Sequence, residues 1–83
     1  MNKGACTLAD LRVGERATVT AFDTEDGVRH RLWDMGMVEG TEVECVFHSP
    51  SGDPTAYFVR GTVVALRRTD AHTVTVTRKQ VSR

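Results

Sequence analysis

Apolar and polar residues alternate along much of this 83-residue chain. Between Arg16 and Phe22 one side carries three small apolar residues and the other carries threonines, which is the period of a half-buried β-strand. We expect the core side of this strand to consist of Ala17, Val19 and Ala21. The pattern recurs, and we predict five strands, over residues 16–22, 42–48, 55–60, 62–66 and 73–77. In the second of these, Val43, Cys45 and Phe47 form the expected core side.

One segment follows a helical period instead. Val28, Leu32 and Met35 fall at i, i+4 and i+7, which predicts an amphipathic helix over about residues 25–35. Gly36 stands where the left-handed residue after a helix belongs, and residues 38–41 form a tight turn. Two shorter elements are a single helical turn over residues 7–11, capped by Thr7, and a 3₁₀ turn over residues 67–72.

Glycine and proline mark the connections. Gly14 is expected at positive φ, where glycine pays no steric cost. Residues 49–54 contain two prolines, a glycine and Asp53, which predicts a loop in which Asp53 binds its own backbone and Pro54 fixes φ. Residues 81–83 are expected to form a loose tail.

Together these elements predict a mainly β fold. We expect a small SH3-like, five-stranded antiparallel barrel with one inserted amphipathic helix and a 3₁₀ turn before the last strand. The length allows one domain over residues 1–83, with an ordered core at about residues 7–78. A domain of this size buries about 60% of the surface that its unfolded chain exposes.

Charge argues against a nucleic-acid binder, because 11 basic residues balance 11 acidic ones. The exposed arginines Arg60, Arg67 and Arg68 are expected to form a solvated rim with ion pairs to Asp70 and Glu15. No apolar run approaches the roughly 20 residues of a membrane helix, and the first residues lack the apolar region of a signal peptide. The sequence therefore predicts a cytoplasmic protein without membrane insertion.

Catalytic and metal-binding motifs are lacking, so neither an enzyme nor a cofactor is expected. Cys6 is expected in a frayed N-terminus, and Cys45 in a core strand as a small buried hydrophobe. The histidines His30, His48 and His72 stand apart. Cys45 and His48 have opposite parity on one strand and should point to opposite faces, which argues against a metal site.

The order and spacing of several short motifs resemble the FeoA family of bacterial ferrous-iron uptake. The matching residues, which extend from about residue 7 to 77, are Leu8-Ala9-Asp10-Leu11, Gly14-Glu15, Arg31-Leu32-Trp33-Asp34-Met35-Gly36-Met37, Gly40-Thr41-Glu42-Val43, Pro50, Gly52-Asp53-Pro54, Arg60-Gly61, Leu66-Arg67-Arg68 and Asp70-Ala71. The resemblance implies an SH3-like barrel and a partnership with FeoB, a membrane ferrous-iron transporter with a cytoplasmic GTP-binding domain. Trp33, Val63 and Ser49-Pro50-Ser51 depart from the usual family residues.

Protein binding is the remaining activity. Trp33 lies about 100° from Leu32 around the helix axis, outside the apolar stripe and next to Arg29 one turn earlier. Two interpretations stay open: an exposed Trp at the centre of an interface, or a Trp lying flat on the barrel rim with Arg29 stacked on it. Met37 is either a residue packed on the helix end or part of an exposed patch. The candidate contact residues are Arg29, Trp33, Met35, Met37, Arg67 and Arg68.

The sequence thus predicts a non-catalytic accessory protein that binds and modulates a FeoB-type transporter through its cytoplasmic GTP-binding domain. One alternative is an SH3-like peptide-binding or self-associating module of an iron-dependent transcription system, related to the C-terminal domain of DtxR-type repressors. Another is a ferrous-iron carrier. Weak homo-oligomerisation is compatible with these hypotheses.

Overall fold

The computed structural model describes residues 5–79. They form one antiparallel sheet in the order β1-β6-β2-β3-β4-β5. The elements, in chain order, are β1 (Ala5–Thr7), a 3₁₀ turn (Leu8–Asp10), β2 (Arg16–Phe22), α1 (Asp26–Asp34), β3 (Glu42–His48), β4 (Thr55–Val59), β5 (Thr62–Leu66), α2 (Arg68–Ala71) and β6 (Val74–Arg78). The predicted mainly β architecture is confirmed, but with six strands instead of five.

The additional strand is β1, whose three residues are too few to show an alternating pattern. Cys6 pairs with Val76 of β6 and is half-buried, so its expected place in a frayed N-terminus is wrong. The next residues form the predicted turn, in which the carboxylate of Asp10 accepts the backbone N–H of Thr7 at 3.0 Å. The tail predicted at residues 81–83 lies outside the described residues.

Helix α1 ends as the sequence predicts. Leu32 is buried, while Val28 and Met35 are half-buried against the core. Gly36 has φ 93°, and its N–H binds the carbonyl of Trp33 at 2.9 Å. The N–H of Met37 reaches back to the carbonyl of Leu32 at 3.1 Å, which completes a Schellman motif.

Two β-bulges change which residues face the core. The β2–β6 register shifts between Val19 and Ala21, so Ala21 is exposed and Phe22 becomes half-buried. The β3–β4 register shifts between Cys45 and Phe47, and Phe47 is 57% exposed. The predicted core positions of Ala21 and Phe47 are therefore wrong, because one extra residue reverses the alternation beyond it.

The short element before β6 is α-helical rather than 3₁₀. The N–H groups of Ala71 and His72 bind the carbonyls four residues earlier, both at 2.9 Å. The carboxylate of Asp53 accepts the backbone N–H of Arg68 at 3.0 Å. Asp53 thus ties the loop before β4 to the start of α2, instead of binding its own backbone as predicted.

Candidate functional site

Trp33 lies at the centre of an aromatic cluster on one flank of α1. Its ring is 6.4 Å from that of Phe22 at an interplanar angle of 86°, and 5.2 Å from that of His30 at 74°. Both are edge-to-face arrangements, which fix the orientation of the indole. Trp33 is nevertheless 36% exposed. We call Phe22, His30 and Trp33 the aromatic cluster.

Arg29 does not stack on Trp33. The interpretation in which Trp33 lies flat on the barrel rim beneath Arg29 required such stacking. Its Nη2 donates to the carbonyl of Thr24 at 3.3 Å, and its Nη1 lies 3.2 Å from the Asp26 carboxylate. The guanidinium therefore holds the first turn of α1. Since Arg29 precedes Trp33 by four residues, it also lies at the margin of the aromatic cluster.

The opposite flank of α1 contacts α2. Arg31 and Trp33 project about 160° apart around the helix axis. Arg31 forms an ion pair with Asp70 at 3.1 Å, and so links α1 to the short helix that begins at Arg68. Among the six predicted contact residues, Arg29 and Trp33 thus lie on one flank, whereas Arg67 and Arg68 belong to the other.

The ion pairs expected for the exposed arginines are not the ones formed. Asp70 pairs with Arg31, and Glu15 pairs with Arg78 at 3.2 Å. Both partners come from elements distant in sequence, so spacing alone could not reveal them. Arg67 and Arg68 remain exposed.

The two methionines after the aromatic cluster have different environments. Met37 is 0% exposed, so it packs on the helix end and its side chain cannot belong to a contact surface of this structure. Met35 is half-buried and keeps some surface. The sequence predicted Arg60 in the solvated rim and did not place it beside α1, yet a Cβ placed on Gly36 would lie 3.2 Å from Arg60 Cδ. The stem of Arg60 therefore covers the end of α1.

The bulge in β3 also brings Cys45 and His48 together. Cys45 Sγ lies 3.7 Å from His48 Nε2, and His48 Nδ1 lies 3.0 Å from the hydroxyl of Thr55. The prediction that Cys45 and His48 point to opposite faces is wrong, because the residue added at the bulge restores equal parity.

This Cys–His–Thr arrangement has the connectivity of a nucleophile, a base and an orienting group, but not their electrostatics. Cys45 is fully buried, and burial raises the pKa of its thiol. An activated cysteine needs the reverse, a lowered pKa and access to substrate. The thiol therefore stays protonated, and its contact with His48 does not provide an activated nucleophile.

A family model for the FeoA domain matches residues 6–78. The chain belongs to the FeoA family. It is 32% identical over 69 residues to the Fe(2+) transport protein A/Fe(2+) transporter FeoB fusion protein of Porphyromonas gingivalis. That match covers 83% of this chain and 8% of the fusion protein, so the chain spans a small part of the length of this curated relative.

Solved structures of FeoA proteins have the same fold. The FeoA protein of Chlorobium tepidum is 34% identical, with a TM-score of 0.85 over 93% of this chain and 73% of that one. The FeoA of Stenotrophomonas maltophilia complexed with zinc is 31% identical, with a TM-score of 0.77 over 89% and 95% of the two chains. It is described as an SH3 domain protein, which confirms the SH3-like class predicted from the sequence.

In this FeoA domain the potential metal ligands are dispersed. Within residues 5–79, no three histidine, cysteine or acidic side chains converge where they could hold an ion. Over the same range, no helix has the length and apolar character needed to cross a membrane. The aromatic cluster, with Trp33 36% exposed at its centre, is the candidate surface near α1.

Proposed function

We propose that this FeoA domain is a non-catalytic accessory component of ferrous-iron uptake that binds the cytoplasmic GTP-binding domain of a FeoB-type transporter. The observation that carries the proposal is the partly exposed Trp33, which Phe22 and His30 hold edge-on. A Trp fixed before binding loses little conformational entropy when it is covered, and Trp is enriched among residues that dominate binding energy.

The identity of the partner is supported by the fusion protein of Porphyromonas gingivalis, whose name joins transport protein A to the transporter FeoB in one polypeptide. A covalent link keeps two modules at a high effective concentration, which is useful when they act on each other. The name of the Stenotrophomonas structure likewise suggests that protein as an activating factor for bacterial ferrous iron transport.

The proposed contact surface consists of the aromatic cluster, with Arg29 at its margin. Met35 follows Trp33 by two residues, about 160° away around the helix axis, and so lies on the flank of Arg31. Arg67 and Arg68 lie on the other flank of α1 and would meet a partner only if it also covered α2. Met37 is excluded by its burial. The predicted contact set thus contracts to one flank of the helix, and Phe22 and His30 join it.

Modulation needs no covalent chemistry. A bound protein shifts the equilibrium between two transporter conformations only by the difference between its affinities for them. A tenfold difference between the GTP-bound and GDP-bound forms corresponds to about 1.4 kcal/mol. We propose a cytoplasmic location because the proposed partner surface faces the cytoplasm.

The test compares Trp33→Ala with Phe47→Ala. Both remove an exposed aromatic ring, but Phe47 lies on β3, outside the aromatic cluster. Calorimetric titration against the cytoplasmic domain, with GDP or a non-hydrolysable GTP analogue, should show about a 30-fold loss of affinity for Trp33→Ala, which corresponds to about 2 kcal/mol. Phe47→Ala should change the affinity by less than about twofold.

Urea unfolding of each variant separates binding from folding. If Trp33→Ala lowers stability while the folded fraction binds with unchanged affinity, Trp33 is a structural residue and the proposed surface is wrong. Trp33 is the only tryptophan in the chain, so 5-fluorotryptophan labelling gives one ¹⁹F signal. That signal should shift on addition of the cytoplasmic domain.

A further inference from the structure

Strand β5 ends the sheet and leaves one edge without a neighbouring strand among the described residues. It pairs with β4 over five consecutive residues without a bulge. The turn between them is Arg60-Gly61, with φ of 51° and 84°, as in a type I′ turn. The register of the β4–β5 hairpin is therefore fixed.

This register determines which backbone groups point outward. Val59 and Thr62 flank the two-residue turn and exchange hydrogen bonds. Hydrogen-bonded positions alternate along an antiparallel pair, so the backbone N–H and C=O groups of Val64 and Leu66 also point toward β4. The N–H and C=O groups of Val63 and Ala65 must then point away from β4. Neither residue makes any other backbone hydrogen bond within residues 5–79.

The side chains at this edge do not protect it. Natural edge strands usually carry a charge, a proline or a bulge against unwanted pairing. The sequence Thr-Val-Val-Ala-Leu has none of these. Val63 is 59% exposed and pairs with Phe58 of β4, which is 44% exposed. The free edge thus continues into an apolar strip on the outer face of the sheet.

Arginines stand at both ends of β5. Arg60 occupies the turn before it and Arg67 follows it, and neither forms an ion pair within the described part of the chain. Gly61 and the five residues of the strand lie between them, so the two arginines are about 20 Å apart.

The two carboxylates that share a groove with Arg60 are paired with other cations. Glu42 is 2.9 Å from Lys79, and Glu44 is 3.9 Å from Arg16. Asp53, which shares a shallow groove with Arg67, accepts the backbone N–H of Arg68 and keeps its negative charge, but Arg67 and Arg68 together outnumber it. The two ends of the edge therefore keep an excess of positive charge.

We propose that the β5 edge binds an extended acidic segment of a partner protein as an additional strand. The segment would have carboxylates about six residues apart, facing Arg60 and Arg67, and apolar side chains at alternate positions between them. Its backbone would bond to Val63 and Ala65, and its apolar side chains would cover Val63 and Phe58.

A second copy of this chain is the less suitable occupant. If two β5 strands paired antiparallel about a two-fold axis, Arg60 of each copy would approach Arg67 of the other. Like charges would then meet at both ends of the new pairing, which is unfavourable. An acidic strand removes this repulsion and replaces it with attraction.

The probe is a capped seven-residue peptide with Glu at both ends and Thr-Val-Thr-Val-Thr between them, so that the two Glu and the two Val side chains share one face of the added strand. The matched control has Lys at both ends. In an ¹⁵N-labelled sample, the Glu peptide should shift the amide signals of Val63 and Ala65 and slow their hydrogen exchange. It should bind at least tenfold more tightly than the Lys peptide at low salt, and this difference should shrink at 0.5 M salt because of screening.

Two variants separate the backbone from the charge contribution. Ala65→Pro removes one outward N–H while leaving the β4 hydrogen bonds in place, and should weaken the Glu peptide at least tenfold. Arg67→Gln should reduce the ratio between the affinities for the Glu peptide and the Lys peptide. Neither residue lies in the aromatic cluster, so Ala65→Pro should keep the affinity measured with the transporter domain.

Three results would overturn the proposal. One is equal binding of the two peptides. Another is binding that leaves the amides of Val63 and Ala65 unchanged. The third is protection of these amides without peptide, together with a dimer in sedimentation equilibrium, which would identify a second copy as the occupant.

Discussion

The hydroxyl of Tyr57 donates a hydrogen bond to the carbonyl oxygen of Leu8 at 3.0 Å, and the bond is buried. It joins the middle of β4 to the 3₁₀ turn near the start of the chain. Burial also raises the pKa of Tyr57, so the hydroxyl remains a donor at alkaline pH. This hydrogen bond thereby holds the 3₁₀ turn against β4.

We expect Tyr57→Phe to lower the free energy of unfolding by about 0.5–1.5 kcal/mol, because the Leu8 carbonyl would lose a buried hydrogen bond and keep only the N–H of Leu11 as its partner. Urea unfolding measures this change. Thr20→Val is the control, since it removes a hydrogen bond to the carbonyl of Thr75 that lies on the exposed side. That change should cost less than about 0.5 kcal/mol. Equal losses in the two variants would show that burial of the Tyr57 bond is unimportant.

Gly36 and Gly27 should respond oppositely to alanine. Gly36 has positive φ, and a Cβ there would press on Arg60 Cδ, so Gly36→Ala should destabilise by about 1–2 kcal/mol. Gly27 lies within α1, and a Cβ there would meet open space. Gly27→Ala should therefore stabilise by about 0.5 kcal/mol. Thermal unfolding checks both signs, and a stabilising Gly36→Ala would contradict the left-handed helix end.

The two thiols should differ in reactivity. Cys45 is fully buried and Cys6 is only half-buried, while burial raises the pKa of both. Reaction with an aromatic disulfide reagent near pH 8 should therefore modify Cys6 first and Cys45 only as fast as the protein unfolds. The Cys6→Ser and Cys45→Ser variants assign the two phases, and 6 M urea should make the rates equal. Comparable rates in the native protein would contradict the burial of Cys45.

Glu15 should contribute stability that depends on pH. Its carboxylate accepts the N–H of Arg12 at 2.7 Å and lies beside Arg78, and these contacts lower its pKa. Because the folded state has the lower pKa, the contribution is complete above the ordinary carboxyl range and is lost as pH falls through the folded-state pKa. Its size should be at most about 1 kcal/mol, since the side chain is partly exposed.

Urea unfolding between about pH 3 and 6 should show a shallower pH dependence for Glu15→Gln than for the parent protein. Glu39→Gln, at an exposed turn position, controls for the change in net charge. If Glu15→Gln and Glu39→Gln alter the slope equally, the contacts of Glu15 do not cause it.

Patterns among neighbouring residues were enough to predict the bounds of several elements and the conformation of two glycines. The two-residue period placed β2 and β3 at their observed bounds, and the helical period placed α1 to within one residue at each end. Gly14 and Gly36 have the positive φ that their positions suggested. These features depend on neighbouring residues, and so the sequence contains enough information to predict them.

The register between neighbouring strands decided which side chains face the core, and local patterns could not predict it. An extra residue in β3 turned Phe47 outward and brought His48 to Cys45, and a similar shift in β2 placed Phe22 beneath Trp33. A bulge forms when two strands must twist together over a core, and this requirement involves both strands at once. The position of a bulge therefore cannot be predicted from the pattern of one strand alone.

The candidate surface was likewise predicted in part from the sequence and completed only by the tertiary structure. The sequence by itself identified Trp33 as the apolar residue outside the helical stripe. Only the tertiary structure assigned Phe22 and His30 to it, buried Met37, and moved Arg67 and Arg68 to the other flank through the Arg31–Asp70 ion pair. The physical reason is that helical periodicity fixes directions around one axis, whereas the neighbours in those directions come from distant segments whose positions depend on the packing of the whole domain.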